Sequence, residues 1–266
     1  MSQGVEIKIC TPYKAMRKDE FMANFEFKDK ANVAYIVAGY PNLNLTSEFL
    51  ARLDESKIDI LEIGIPYSDP IADGEVIFEA VCKALSGGAD IHKVFELLKS
   101  VKTTKTLVFL VYYNLIFSYG LKKFVAKAKS VGISGLIVPE LPYEENEELF
   151  KECQRANIAL IPLVSVTTSE ERLKKILSRA SGFVYALASV GITGGNQMAQ
   201  GKLENLVKRI KKHTNLPVFA GFGVKTHADV LACKKVADGA IVGTSVVKAF
   251  ESGDLGRILQ KVDELF

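Results

Sequence analysis

Along the chain, short near-continuous apolar runs alternate with segments whose apolar residues recur every three or four positions. The first run, Asn32 to Tyr40, closes on Gly39-Tyr40-Pro41. A segment of helical period (Leu45, Phe49, Leu50, Leu53) leads to the run Ile58 to Ile65, and segments around Ile77 to Leu85 and Val94 to Val101 lead to Thr106 to Tyr113. The cycle continues with Leu121 to Val131, then Gly135 to Val138; Glu144 to Arg155, then Ile158 to Val166; and Glu170 to Leu177, then Gly182 to Ala188. It closes with Leu203 to His213, then Pro217 to Gly221; Ala228 to Lys235, then Gly239 to Val242; and a helix from about Leu255 to Leu265. Apolar strands alternating with amphipathic helices predict a parallel sheet covered on both faces. About eight such units in roughly 250 residues predict an α/β fold of the (β/α)8 TIM-barrel type rather than an open doubly wound sheet. The leader over residues 10 to 30 (Tyr13, Met16, Phe21, Met22, Phe25) is amphipathic and is expected to add an N-terminal helix that caps the barrel floor. No Gly/Ser/Pro-rich linker divides the chain, so a single domain over residues 1–266 is expected.

In such a barrel the active site forms where strands run into the loops that follow them, so strand ends are the informative positions. The second run carries Glu62 near its carboxyl end and opens into the loop Pro66-Tyr67-Ser68-Asp69-Pro70-Ile71-Ala72-Asp73-Gly74. Strand alternation puts Ile58, Ile60, Glu62 and Gly64 on one face, so this acid lies among small and apolar neighbours. A carboxylate there is paired, protonated or working. The bland reading is a Glu satisfied by backbone or a nearby cation; two more carboxylates in the following loop favour chemistry. Later strand ends are rich in small residues: Gly191-Ile192-Thr193-Gly194-Gly195, Gly221-Phe222-Gly223 and Gly243-Thr244-Ser245. Their free backbone N–H groups suit a phosphate held after the seventh and eighth strands at the start of a short helix.

Composition narrows the function. With 48% hydrophobic and 24% charged residues over 266 positions the chain is of the globular class, and a net charge of +3 is near balance. The basic run Lys208-Arg209-Ile210-Lys211-Lys212-His213 reads as a solvated helix face, so no nucleic-acid partner is expected. Cys10, Cys82, Cys153 and Cys233 are scattered without a CxxC pair, which fits free thiols in a reducing cytoplasm. His92, His213 and His227 show no metal-ligand spacing. No apolar run approaches the roughly 18 residues that span a bilayer, and no signal core opens the chain. Gly221-Phe222-Gly223 lacks the third glycine of a dinucleotide fingerprint and no GxxxxGK[ST] is present, so neither a nicotinamide cofactor nor ATP is indicated. No predicted strand contains a lysine, against a Schiff-base aldolase. What remains is acid–base catalysis by carboxylates on a phosphorylated small molecule.

The stretch Glu62-Ile63-Gly64-Ile65-Pro66-Tyr67-Ser68-Asp69-Pro70-Ile71-Ala72-Asp73-Gly74 resembles the signature E-L-G-x-P-[FY]-S-D-P-x-A-D-G of tryptophan synthase alpha chains. The resemblance extends to Ala38-Gly39-x-Pro41, Tyr112-Tyr113-Asn114, Ile192-Thr193-Gly194, Gly221-Phe222-Gly223 and Gly243-Thr244-Ser245. It implies a lyase that splits indole-3-glycerol phosphate into indole and glyceraldehyde 3-phosphate by a retro-aldol step without a cofactor. By this resemblance Glu62 is the acid–base group, Asp73 faces the indole N–H, and Tyr185 packs near both. Thr193 and Gly194 lie in a lid, Gly223, Gly243 and Thr244 hold the phosphate, and Tyr35, Ile137 and Phe222 wall the indole pocket. The implied partner is a pyridoxal-phosphate beta chain in an alpha2-beta2 complex. The chain departs from the family pattern at Glu75-Val76-Ile77-Phe78, where P-x-I-Q is usual, and at Ser189, where arginine is common. Tyr40, Leu115 and Glu140 also replace a frequent Asp, Pro and Asp. These changes motivate an alternative expectation, a catalytically impaired alpha chain that mainly binds and activates the beta chain.

Overall fold

The computed structural model describes residues 25, 27, 29–187, 197–221 and 223–266. Its strands are β1 (Ala31–Val37), β2 (Ile60–Gly64), β3 (Thr106–Leu110), β4 (Ile133–Ile137), β5 (Ala159–Leu160), β6 (Leu163–Ser165), β7 (Val184–Leu187), β8 (Val218–Gly221) and β9 (Gly239–Val242). They pair in parallel in the order β5-β4-β3-β2-β1-β9-β8-β7-β6. The two ends of that order, β5 and β6, are consecutive in sequence and form one stave. It is interrupted at Ile161-Pro162 because proline has no N–H to give to a ladder. The Ile161 N–H still reaches Leu136 O (2.9 Å) on one side, and Pro162 O accepts the Tyr185 N–H (2.9 Å) on the other. The sheet is thereby closed into the eight staves of a (β/α)8 barrel, and the predicted sixth, seventh and eighth strands are β7, β8 and β9.

Alternation along each strand sorts the apolar residues into two layers. Val33, Ile60, Val108, Ile137, Phe183, Phe219 and Ile241 fill the barrel interior. Leu61, Ile63, Phe109, Leu136 and Val184 face outward and pack with Phe49, Phe95 and Phe124 from the helices. Glu62 follows Ile60 on the inward face. Ile58, expected there too, packs in the outer layer because the strand starts only at Ile60.

The helices are α1 (Leu43–Ala51), α2 (Glu75–Ser86), α3 (Ile91–Leu98), α4 (Tyr113–Tyr119), α5 (Leu121–Ser130), α6 (Glu147–Ala156), α7 (Glu170–Ser178), α8 (Gln197–Lys211), α9 (His227–Val236), α10 (Thr244–Ala249) and α11 (Leu255–Leu265). Several start on side-chain caps: Asn42, Asp90, Ser169 and Asp254 each accept a backbone N–H of the first turn, and Thr226 with Asp229 forms a capping box. The third apolar run, read as a strand to Tyr113, ends as a strand at Leu110, and Tyr113 opens α4.

Most of the predicted leader lies outside the described residues. Its last aromatics, Phe25 and Phe27, stack edge-on against Phe183 (centroids 5.7 Å apart) and Phe219 (5.4 Å). They close the barrel interior at the N-terminal ends of the strands.

Candidate active site

Glu62 is the third residue of β2, in register with Tyr35 on β1 and Val108 on β3, and is 1% exposed. Among the described residues no cation pairs with it, and its Oε1 is buried without a hydrogen-bond partner. The bland reading of a satisfied structural acid therefore has no support in the geometry. Burial alone pushes its pKa up to about 8, because a charged carboxylate loses its hydration there and gains nothing in return.

Asp73 arrives from the loop after β2. That loop turns back on itself through Ile71 N–H to Asp69 O (2.9 Å) and Asp73 N–H to Pro70 O (3.2 Å), with Ser68 Oγ donating to Asp69 Oδ2 (2.6 Å). The Tyr112 hydroxyl, from the end of β3, donates to Asp73 Oδ2 (3.2 Å) and accepts the Ala72 N–H (3.0 Å). Burial pushes the Asp73 pKa up to about 6, with the Tyr112 hydrogen bond pulling the other way. The two acids thus differ near neutral pH: Glu62 holds its proton and Asp73 is mostly ionised.

Both carboxylates line a cavity of about 470 Å³ at the carboxyl ends of the strands. Tyr35, Tyr185, Gly223, Gly243 and Thr244, singled out in the sequence, line it too. Tyr35 is buried and Tyr185 partly buried, and their hydroxyls are held protonated, chiefly by loss of solvent and also by the nearby carboxylates. Each leans over a glycine: a Cβ on Gly64 would run into the Tyr35 hydroxyl, and one on Gly221 would sit 2.6 Å from the Tyr185 ring. At the far end of the cavity Gly223 has φ +85, in the left-handed region. Gly243 precedes the first turn of α10, whose N–H groups lack intrahelical acceptors. The Ser245 hydroxyl donates to Lys225 O (2.7 Å), tying the loop after β8 to that turn.

Ile137 does not line the cavity. It is fully buried in the inner core beneath it, and Pro139, two residues on, reaches the wall, as do Leu110, Leu163, Leu187 and Ile77. Leu110, Leu163, Leu187 and Ile77 were missed in the sequence, while Pro139 and Tyr112 stood out only as strand ends with no role given. Inward parity counted from Val108 and Ile137 would have pointed to Leu110 and Pro139. Thr193, Gly194 and Phe222, with Ser189, lie outside the described residues.

A second cavity of about 320 Å³ lies behind the shared wall Pro139, Leu163 and Leu187, against α6 and α7. Its arginines are satisfied: Arg172 makes a bidentate bond to Glu144 (2.9 and 3.0 Å), and Arg179 binds Tyr143 O and Asn146 Oδ1; its acid, Glu140, gives one oxygen to the Tyr113 N–H. Of the two, the first holds two carboxylates within apolar walls, one of them fully buried and unpaired, the arrangement expected of a catalytic site.

Comparison with known proteins agrees. A family model described as "Tryptophan synthase alpha chain" matches residues 21–265. The chain is 60% identical over 240 residues to the tryptophan synthase alpha chain of Campylobacter jejuni serotype O:6, covering 90% of this chain and 96% of that one. The solved structure of tryptophan synthase subunit alpha from Campylobacter jejuni superposes with a TM-score of 0.86 at 57% identity, covering 94% and 99% of the two chains. A chain of the tryptophan synthase complex from Pyrococcus furiosus superposes with a TM-score of 0.79 at 32% identity, covering 90% and 99%. A barrel with two unlike carboxylates in its mouth and a match over nearly its whole length belongs to the tryptophan synthase alpha chain family, lyases that cleave indole-3-glycerol phosphate.

Proposed function

We propose that Glu62 performs both proton transfers of the retro-aldol cleavage and that Asp73 stabilises the charge that develops between them. Glu62, protonated at neutral pH, gives its proton to indole C3, which breaks ring aromaticity and leaves a cation on the indole nitrogen side. The ionised Asp73 faces that N–H and lowers the energy of the cation. The Glu62 carboxylate then takes the proton of the glycerol hydroxyl. As that oxygen becomes a carbonyl, the C–C bond breaks and its electrons restore the aromatic ring. Glu62 ends as it began, and the products are indole and glyceraldehyde 3-phosphate. The observation that carries this reading is the orphaned, buried Glu62 with its pKa near 8 beside an Asp73 near 6.

Tyr112 orients Asp73 by its hydroxyl. Gly223, Gly243 and Thr244 receive the phosphate on backbone N–H groups, with the Thr244 hydroxyl beside them. Tyr35 and the apolar wall exclude water from the indole ring. Both transfers are proton transfers between this chain and its substrate, so the reading assigns the chain no cofactor.

The partner we infer is a beta chain that carries pyridoxal phosphate, in an alpha2-beta2 complex in the cytoplasm. The Pyrococcus furiosus neighbour comes from a complex, and apolar Ile71 (78% exposed) and Phe117 (70%) stand out on the segments that follow β2 and β3. Among the described residues no helix is long and apolar enough to cross a membrane.

The test is indole release from indole-3-glycerol phosphate by the wild-type chain and by Glu62→Gln, each with and without a beta chain. General acid–base catalysis is worth about 100-fold or more, so Glu62→Gln is expected to lose at least that factor. Retention of more than about a tenth of the rate would overturn the assignment of Glu62. A wild type that releases no indole yet activates the beta chain would favour the impaired-subunit reading, which the exposed Phe78, outside the cavity wall, supports.

A further inference from the structure

Glu140 is a half-buried acid just beyond β4 that the reaction above does not use. Its Oε1 accepts the backbone N–H of Tyr113, and its Oε2 is buried with no hydrogen-bond partner among the described residues. Tyr113 is the first residue of α4, and the residue at that helix's N-cap, Tyr112, has no side-chain acceptor to offer the first turn. The first N–H groups of any helix need partners from elsewhere, and a carboxylate there gains from both the hydrogen bond and the helix dipole. A neutral cap would satisfy one N–H without burying a second, unpaired carboxylate oxygen, which is costly. The bond that starts α4 also fixes the residue immediately before it.

What it holds in place is Tyr112. The Tyr112 backbone runs directly into the capped turn, its ring stacks on Tyr67 with centroids 5.2 Å apart, and its hydroxyl lies between Asp73 Oδ2 and the Ala72 N–H. We propose that Glu140 is a positioning residue for the cleavage reaction: by pinning the start of α4 it fixes the Tyr112 hydroxyl that orients Asp73 toward the indole nitrogen. The inference rests on the role given to Asp73 above. Burial and the charge of Asp73, with a smaller contribution from Glu140, raise the Tyr112 pKa and keep its hydroxyl a donor to Asp73.

A double-mutant cycle on indole release by the purified chain tests the link. Glu140→Ala and Tyr112→Phe are each expected to lower kcat about tenfold while KM stays within about twofold, a loss in line with one charge-assisted hydrogen bond. If Glu140 acts through Tyr112, the double variant is no more than about twofold slower than the slower single variant. Glu140→Gln keeps an acceptor oxygen of the same reach and is expected to stay within about threefold of wild type. Additive losses in the double variant, or a Glu140→Gln chain as slow as Glu140→Ala at unchanged melting temperature, would overturn the proposal. Should Glu140→Ala fail to fold, a Glu140→Gln chain about tenfold or more slower than wild type at unchanged melting temperature would overturn the proposal, and one within about threefold would support it. Asp73→Asn separates the two readings. If it leaves the rate intact, the role of Asp73 fails. If it abolishes the rate while Tyr112→Phe and Glu140→Ala do not couple, only the role of Glu140 fails.

Discussion

Charged groups stand at both ends of the barrel, half-buried or exposed at the floor and more deeply buried at the mouth, and the two ends treat them in opposite ways. At the floor Asp59, Lys234, Asp238 and Lys211 are each paired. The Asn32 N–H donates to Asp59 Oδ2 (2.8 Å), Asn32 Nδ2 donates to Lys57 O (2.7 Å), and Lys234 donates to Asn32 Oδ1. Asp238 accepts the Val218 N–H (2.8 Å) and the Lys211 ammonium (2.6 Å). At the mouth Glu62 and Glu140 each keep a buried oxygen without a partner, and Asp73 has one tyrosine. Satisfied polar groups lock strands together; unsatisfied ones store free energy that substrate binding or proton transfer releases. The floor is built for stability and the mouth for chemistry, a division typical of such barrels.

The sharpest way to break this comparison is to neutralise Glu62 and watch stability instead of rate. Its folded pKa of about 8 lies above its ordinary value of 4.5, so the folded protein binds more protons than the unfolded one between those limits. Stability therefore falls as pH rises through that window. Full linkage over that interval corresponds to roughly 5 kcal/mol. Glu62→Gln removes the titration but still buries polar atoms, so a gain of about 2 to 4 kcal/mol over wild type is expected at pH 9, shrinking toward zero at pH 5. Urea unfolding at the two pH values checks it. A Gln variant less stable than wild type at pH 9 would mean that Glu62 is a structural acid after all, like those at the floor.

A smaller effect on stability and a larger one on binding are expected at the phosphate end. A side chain at Gly243 would meet nothing closer than Tyr35 Cδ1 at 3.7 Å, so the position has room. Gly243→Asp would place a negative charge where N–H groups receive an anion, and glycerol phosphate affinity should fall about 30-fold or more, with the melting temperature within about 3 °C of wild type. Calorimetry that finds unchanged affinity would move the phosphate elsewhere in the mouth.

How much of this could be read from the sequence follows the same division. The alternation of apolar runs and amphipathic segments revealed the closed barrel, because strand and helix periods are local properties. Glu62 and its loop were legible because an acid inside an apolar run contradicts its surroundings. The break in the fifth stave was signalled by Pro162, although Ile158 to Val166 was read as one strand. The end of β3 was not legible, since Val111 and Tyr112 continue the apolar run. What starts α4 is Glu140, 27 residues away in sequence, a partner that no local pattern reveals. Tyr112 was missed as a site residue for the same reason, because its role depends on the loop from β2 folding over it. Ile137 was placed at the wall when the wall begins two residues further on, where the strand has ended and Pro139 turns into the mouth.

The floor supplies the smallest and most discriminating test. Asp238 joins three staves: its carbonyl accepts the Ala31 N–H (2.8 Å), its N–H donates to Val218 O (2.8 Å), and its carboxylate accepts from Val218 and Lys211. Asp238→Ala keeps both backbone bonds but leaves the part-buried Val218 N–H without its acceptor and Lys211 without its partner. Since the carboxylate is about one-third exposed (32%), the ion pair adds little beyond the hydrogen bond. A loss of about 1 to 2 kcal/mol is expected, seen as a melting temperature lower by roughly 3 to 6 °C. The carboxylate lies at the opposite end of the strands from Glu62 and Asp73, so kcat and KM should stay within about twofold of wild type at a temperature where both proteins are folded. A drop in kcat with no loss of stability would show that the floor tunes the geometry of the mouth, and the separation of stability from chemistry along the barrel axis would not hold.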